Sequence, residues 1–192
     1  MQTRELAIAG AWEFTPKQFG DARGRFLEWF KASEFEDAVG TPLTLLQANC
    51  SVSAAGVLRG IHYTEDPPGQ AKYVTCVRGA FLDVVVDLRP SSPTFGRWDS
   101  VLLDDVDRRA VYLSAGLGHA ILSLEDDSTV MYLCSLEYSP ELDRDLDAFD
   151  PTLAIEWPTT SRDGSALSYV RSSKDSAAPA FADAFGTDGP PQ

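Results

Sequence analysis

Short apolar runs broken by turn residues dominate the chain. They include "LTLLQANCSVS", "GVLRGIHY", "KYVTCVRG", "AFLDVVVDLR", "SVLLDD", "AVYLSAG", "AILSLED" and "TVMYLCSLEY", separated by "DPPGQ", "RPSSPTFG", "DDVDRR", "AGLG" and "EDDS". Runs this short, evenly spaced and closed by Gly, Pro, Asp and Ser predict an all-β sandwich or barrel, not βαβ units. One early segment, "KASEFEDAVG", reads as a helix, with Ser33 as its cap, Glu36 three residues on, and Gly40 as its stop.

Period-two alternation assigns faces within the runs. Leu82, Val84, Val86 and Leu88 share one face, and Asp83, Val85 and Asp87 the other. Lys72, Val74 and Cys76 fall together, as do Val130, Tyr132 and Cys134. In "VLRGIHY" the same rule groups Leu58, Gly60 and His62 against Arg59, Ile61 and Tyr63, with Gly60 leaving open space beside the histidine.

At 192 residues the chain is sized for one well-buried core, here read as a single domain over residues 1–182. Residues 183–192, within an Ala-, Asp-, Gly- and Pro-rich end, are expected to form a flexible tail. The net charge of −13 speaks against nucleic acid as a partner, since no positive field recruits phosphates. A small anion stays open if the few cations gather at one site. No stretch reaches the roughly 18 apolar residues of a membrane span, and the first residues lack a signal-peptide pattern. Cys50, Cys76 and Cys134 lie in strand-like runs without a CxxC, and read as buried free thiols of a cytoplasmic protein.

His62, Lys72, His119 and Tyr132 are the polar residues set within strands, and a barrel would gather them around one cavity. The imidazole can take a carbon-bound proton near neutrality, a lysine can stabilise the enolate oxygen, and a phenol can return a proton. From the residues alone, structural histidines remain the alternative. Two histidines exclude a His-rich metal centre and leave only a mixed carboxylate site. GxGxxG, Walker A and GxSxG are all missing, so nicotinamide, P-loop and hydrolase chemistry have no local support.

The order of "FGDARGRFLEWF", "GVLRGIHY", "PPGQAKYVTCVRGAFLDVVVDLRPSSPTFGRW", "GLGHA", "MYLCSLEYSP" and "DPTLAIEWP" resembles the dTDP-4-dehydrorhamnose 3,5-epimerase family over about residues 5–182. The resemblance is nearest to the branch acting on dTDP-4-keto-6-deoxy sugars of antibiotic glycosides. It implies a metal-free, cofactor-free cupin, a double-stranded β-helix or jelly roll with a few short peripheral helices, working as a homodimer. The implied reaction inverts C3, C5 or both of a dTDP-4-keto-6-deoxyhexose, with double epimerisation as the default. A 3-only or 5-only epimerase is the alternative within the class. A cupin keto-isomerase or a non-catalytic cupin that binds a nucleotide sugar are the alternatives outside it.

By this resemblance His62 is the base and Asp175 its orienting partner, Lys72 sits near the keto oxygen, Tyr132 is the acid, and His119 binds the sugar or its oxyanion. Arg23 and Arg59 match positions around the diphosphate; Glu28, Gln47 and Asn49 match the nucleotide pocket; Tyr138 would stack on thymine; and Asp143 stands where an acidic residue is expected. The chain departs from the family pattern at Leu117, Ala120 and Ile121 around "GLGHA", and at Arg171 in "RSSKD". Those departures concern the pocket floor and the setting of the His62–Asp175 pair.

Overall fold

The computed structural model describes residues 1–186. Its strands are β1 (Gln2–Glu5), β2 (Ala11–Thr15), β3 (Gln18–Asp21), β4 (Gly24–Leu27), β5 (Gln47–Ser53), β6 (Leu58–Thr64), β7 (Lys72–Arg78), β8 (Ala80–Asp87), β9 (Trp98–Asp104), β10 (Ala110–Leu113), β11 (Leu117–Ser123), β12 (Ser128–Cys134) and β13 (Asp143–Asp145). Three short helices accompany them: α1 (Ala32–Val39), α2 (Ser173–Ser176) and α3 (Phe181–Phe185). A six-stranded sheet in the order β1-β2-β10-β7-β12-β5 faces a five-stranded sheet in the order β13-β6-β11-β8-β9, and β3 and β4 form a separate hairpin. This is the expected jelly roll with peripheral helices.

Alternation decides which layer each side chain joins. Val74, Cys76, Val111, Leu113 and Val130 of the larger sheet meet Phe81, Val85, Val101, Leu103, Leu117 and Ile121 of the smaller one, forming the central layer. The opposite face of the smaller sheet buries Leu58, Ile61, Val84, Val86, Ala120 and Leu122 under Phe95, Leu146, Leu153, Trp157 and Phe181. Strand β8 is therefore buried on both faces, as its near-continuous apolar run requires. The outer face of the larger sheet carries an aromatic cluster of Phe14, Phe35, Tyr73 and Tyr112, which seats α1 through Phe35.

Four expectations are corrected. Helix α1 forms, but Lys31 occupies its N-cap position and no side chain caps it; Ser33 lies inside, because packing of Phe35 sets where the helix begins. Gly40 does end it, in the left-handed region at φ 85°, its N–H donating to Glu36 O. Cys50 is exposed on the outer face of edge strand β5, while Cys76 and Cys134 are buried. The expected tail overlaps helix α3, where Phe181 is fully buried and Phe185 packs on Tyr63 and Phe95; residues 187–192 lie outside the described residues.

The fourth correction concerns β6. Its pairing with β11 matches His62 to His119 but Arg59 to Ile121, so three steps on β6 span two on β11. This bulge inverts the face assignment beyond it, and Arg59 and His62 line the same cavity instead of opposite faces. Gly60 is not open space. It adopts φ 109°, and a Cβ there would collide with His119 O and lie 2.9 Å from Ala120 Cα.

Candidate active site

Between the sheets a cavity of about 430 Å³ opens outward, its walls including Gln47, Asn49, Arg59, His62, Lys72, Tyr132, Tyr138, Asp143 and Asp175. Behind it lies an inner chamber of about 170 Å³, lined by Ser51, Val74, His119, Ile121 and Val130. Arg59, His62, Lys72 and Tyr132 border both spaces. Ten of the twelve residues expected at the site thus converge; Arg23 and Glu28 do not.

The strand order explains the convergence. His62 and Arg59 come from β6, Lys72 from β7, and Tyr132 from β12, where it pairs with Asn49 of β5. The inward column of β5 is polar from rim to interior: Gln47, Asn49, Ser51 and Ser53. Gln47 Nε2 donates to Asn49 Oδ1 at 2.8 Å and its Oε1 accepts the Tyr138 N–H at 2.8 Å, which places the exposed tyrosine ring at the rim. Deeper along the column, Ser53 Oγ accepts from Arg59 Nε at 3.2 Å.

His62 Nε2 lies 2.6 Å from Asp175 Oδ1. The carboxylate, 7% exposed, is held by the segment entering α2: Ser172 Oγ donates to Asp175 Oδ2 at 2.7 Å and accepts the Asp175 N–H at 3.0 Å. Burial works against its ionisation, yet the hydrogen bonds it accepts from His62, Ser172 and the Gly60 N–H hold its pKa down at about 2. An ionised Asp175 accepts the Nε2–H, leaving Nδ1 of a neutral His62 with the lone pair.

Lys72 has no ion-pair partner among the described residues, and burial lowers its pKa against the opposing effects of Cys134, Asp143 and Asp83. Burial raises the Tyr132 pKa, with Arg59 pulling the other way, so the phenol keeps its proton near neutrality. His119 pairs with β6 His62 across the register, its Nε2 2.8 Å from Asp83 Oδ2, and Asp83 is fully buried.

Several residues at this site were not singled out in the sequence: Asp83, Asp145, Ser172, Lys174 and Gln70. Lys174 Nζ donates to Asp143 Oδ2 at 2.6 Å and lies 3.0 Å from Asp145 Oδ1, which is itself 3.6 Å from His62 Nε2. These carboxylates raise the Lys174 pKa. Asp83 carried a signal, a charge inside an apolar run on the face turned to the other sheet. Asp145 carried none, because three-residue β13 is polar throughout.

His62, Asp145 and Asp175 bring three potential metal-ligand atoms within 4.8 Å of one another. The Lys174 ammonium beside Asp145 opposes a dication electrostatically. Arg23 and Glu28 lie elsewhere: Arg23 is paired with Asp21 on the β3–β4 hairpin, its side chain 90% exposed, and Glu28 lines a shallow surface recess with Met1 and Phe19. Phe19 and Phe26 of the same hairpin are 49% and 65% exposed.

Comparison with known proteins gives a consistent result. The family model described as dTDP-4-dehydrorhamnose 3,5-epimerase matches residues 5–183. A dTDP-4-dehydrorhamnose 3,5-epimerase of Mycobacterium tuberculosis is 57% identical over 183 residues, 95% of this chain and 89% of that protein. A dTDP-4-dehydrorhamnose 3-epimerase of Streptomyces niveus is 56% identical, covering 83% of this chain and 77% of its own. The solved structure of ChmJ, a 3'-monoepimerase from Streptomyces bikiniensis in complex with dTDP-quinovose, superposes with TM-score 0.86 at 49% identity, covering 95% of this chain and 90% of the other.

Proposed function

The chain belongs to the dTDP-4-dehydrorhamnose 3,5-epimerase family, and we propose that it epimerises a dTDP-4-keto-6-deoxyhexose, inverting C3 and C5, in the making of a deoxysugar for an antibiotic glycoside. The observation that carries the reading is the meeting of the His62–Asp175 pair, Lys72 and Tyr132 around one cavity. Nδ1 of His62 takes the proton from a carbon next to the 4-keto group, and Asp175 stabilises the imidazolium that forms. The electron pair moves into the C4 oxygen as an enolate, which Lys72 and His119 stabilise by charge and hydrogen bonding. Tyr132 then protonates the carbon from the opposite face, so the centre inverts without a cofactor or net redox change.

Arg59 binds the diphosphate, Lys174 adds a further cation to the wall of the same cavity, and Tyr138 stacks on thymine at the rim. A net charge of −13 makes this local concentration of cations the condition for holding an anionic ligand. Arg23 and Glu28 join the site from a second copy: the exposed phenylalanines of their hairpin fit a homodimer in which β3 and β4 cross to the neighbouring cavity. The three unpaired thiols suit a cytoplasmic setting. No helix among the described residues is long and apolar enough to cross a membrane.

The test is incubation of dTDP-4-keto-6-deoxyglucose with the protein in D2O, followed by NMR. Deuterium at C3 and C5 with inverted product is expected. Label at neither carbon would overturn catalysis in favour of a binding cupin, label at one carbon alone would mark a single-site epimerase, and a displaced keto group would mark an isomerase instead.

A further inference from the structure

The base must become a cation where cations already stand. His62 borders its cavity together with Arg59, which bonds Ser53 and a backbone carbonyl, and Lys72, which has no ion-pair partner among the described residues. Against these, Asp175 takes the Nε2–H of His62. We propose that Asp145 is a second, positioning carboxylate for the base, stabilising the imidazolium through charge, and that Lys174 limits how strongly it does so. The inference rests on the epimerase reading above.

Backbone register brings Asp145 to the imidazole. Ile61 N–H donates to Leu146 O at 3.1 Å and Leu146 N–H donates back to Ile61 O at 2.9 Å, so these two residues form a hydrogen-bonded pair. The next pair along the antiparallel ladder is His62 with Asp145. It is therefore a non-hydrogen-bonded pair, the kind whose side chains stand closer together on one face. Ile61 and Leu146 are fully buried, and a slip of the strand would expose them, which holds the register.

The side-chain atoms fit a role through charge. Asp145 Oδ1 is buried, accepts no hydrogen bond, and lies 3.6 Å from His62 Nε2. That is beyond hydrogen-bond length, and the Nε2 proton is already given to Asp175. It is well inside the distance at which a carboxylate favours a neighbouring cation. Lys174 Nζ approaches the same oxygen at 3.0 Å out of hydrogen-bond alignment and donates to Asp143 Oδ2 instead. Its charge partly offsets both carboxylates of β13. The other titratable groups around the ring are Tyr132 of β12 and His119 of β11, which is tied to Asp83 of β8. When Nδ1 takes the carbon-bound proton, the C–H bonding pair enters the enolate and the ring keeps both N–H bonds. Positive charge then appears beside Asp145 with no further proton moving.

The chain has two histidines, which makes a direct test practical. NMR titration of isotope-labelled histidine reads His62 in the free protein, with His62→Ala assigning its signals. Asp145→Asn, which keeps the side chain's size, should lower the proton affinity of that ring about tenfold. It should also slow deuterium exchange into the keto sugar about threefold once the ring is neutral, because a weaker base abstracts more slowly. Lys174→Met should change the affinity in the opposite sense, raising it about threefold. Opposite changes from adjacent side chains cannot come from a common loosening of the site. Should Asp145→Asn not fold, the sign of the change in Lys174→Met, a half-exposed position, decides alone. Affinity unchanged in Asp145→Asn, or changed in the same sense in both variants, would overturn the proposal. Wild-type protein that labels neither C3 nor C5 would instead overturn the epimerase reading, while the titration still decides whether Asp145 acts on His62.

Discussion

His62 and His119 stand directly opposite one another across the β6–β11 pairing, and each holds its Nε2 against its own buried carboxylate, Asp175 at 2.6 Å and Asp83 at 2.8 Å. The chain's only two imidazoles thus serve one cavity from adjacent strands. The carboxylates come from different places: Asp83 from neighbouring strand β8, and Asp175 from α2, far along the chain.

The base and the acid should separate in labelling experiments. His62→Ala is expected to remove deuterium exchange at both carbons, a loss on the order of 10²–10⁴-fold for a positioned general base. Tyr132→Phe should keep measurable exchange while losing inverted product, because proton removal does not need the phenol. Equal loss of both in Tyr132→Phe would assign the tyrosine a part in proton abstraction.

Asp175 should leave a mark on stability at low pH. Its folded pKa, about 2, lies below the ordinary carboxylate value of 3.8, so the unfolded chain binds the proton more readily. Stability from this group is present above about pH 4 and is lost as pH falls toward 2. The difference is on the order of 2 kcal/mol. Thermal melts from pH 5 to 2 should therefore fall more gently for Asp175→Asn than for wild type; parallel curves would contradict the ionised pair.

Gly60 should be intolerant of any side chain. Its φ of 109° and the collision that a Cβ would make with His119 O leave no relaxed placement for alanine. Gly60→Ala is expected to cost about 2 kcal/mol or more, roughly 5 °C or more in Tm, and to depress activity by shifting Arg59 and His62 together. A variant with wild-type Tm would show that the bulge is not held by this contact.

Subunit mixing addresses Arg23. If the β3–β4 hairpin of one copy completes the cavity of the other, Arg23→Ala and His62→Ala proteins should each be weak alone. Refolded together at equal amounts, they should regain about a quarter of wild-type activity, since half the dimers carry one intact site. No gain on mixing would place Arg23 outside the site.

Much of this was legible in the chain. Alternation in β8, β7 and β12 assigned Val84, Val74, Lys72, Val130 and Tyr132 to their observed faces, because a strand's side chains must alternate whatever surrounds it. The same rule failed in β6, where a bulge inserts one residue; such a bulge depends on the neighbouring strand and not on local preference. The helix cap failed for a related reason, as packing of Phe35 overrode the best local capping residue.

By itself, then, the sequence determined the all-β class, the identity of the polar strand residues and the shortage of positive charge that an anion site must overcome. These follow from covalent order and side-chain chemistry. Only the tertiary structure decided that Arg59 shares a face with His62, that Asp83, Asp145 and Lys174 join the site, and that Arg23 and Glu28 lie away from it within one copy. Those relationships are set by strand register and sheet pairing between segments far apart in the chain, up to 113 residues for His62 and Asp175, which no local pattern encodes.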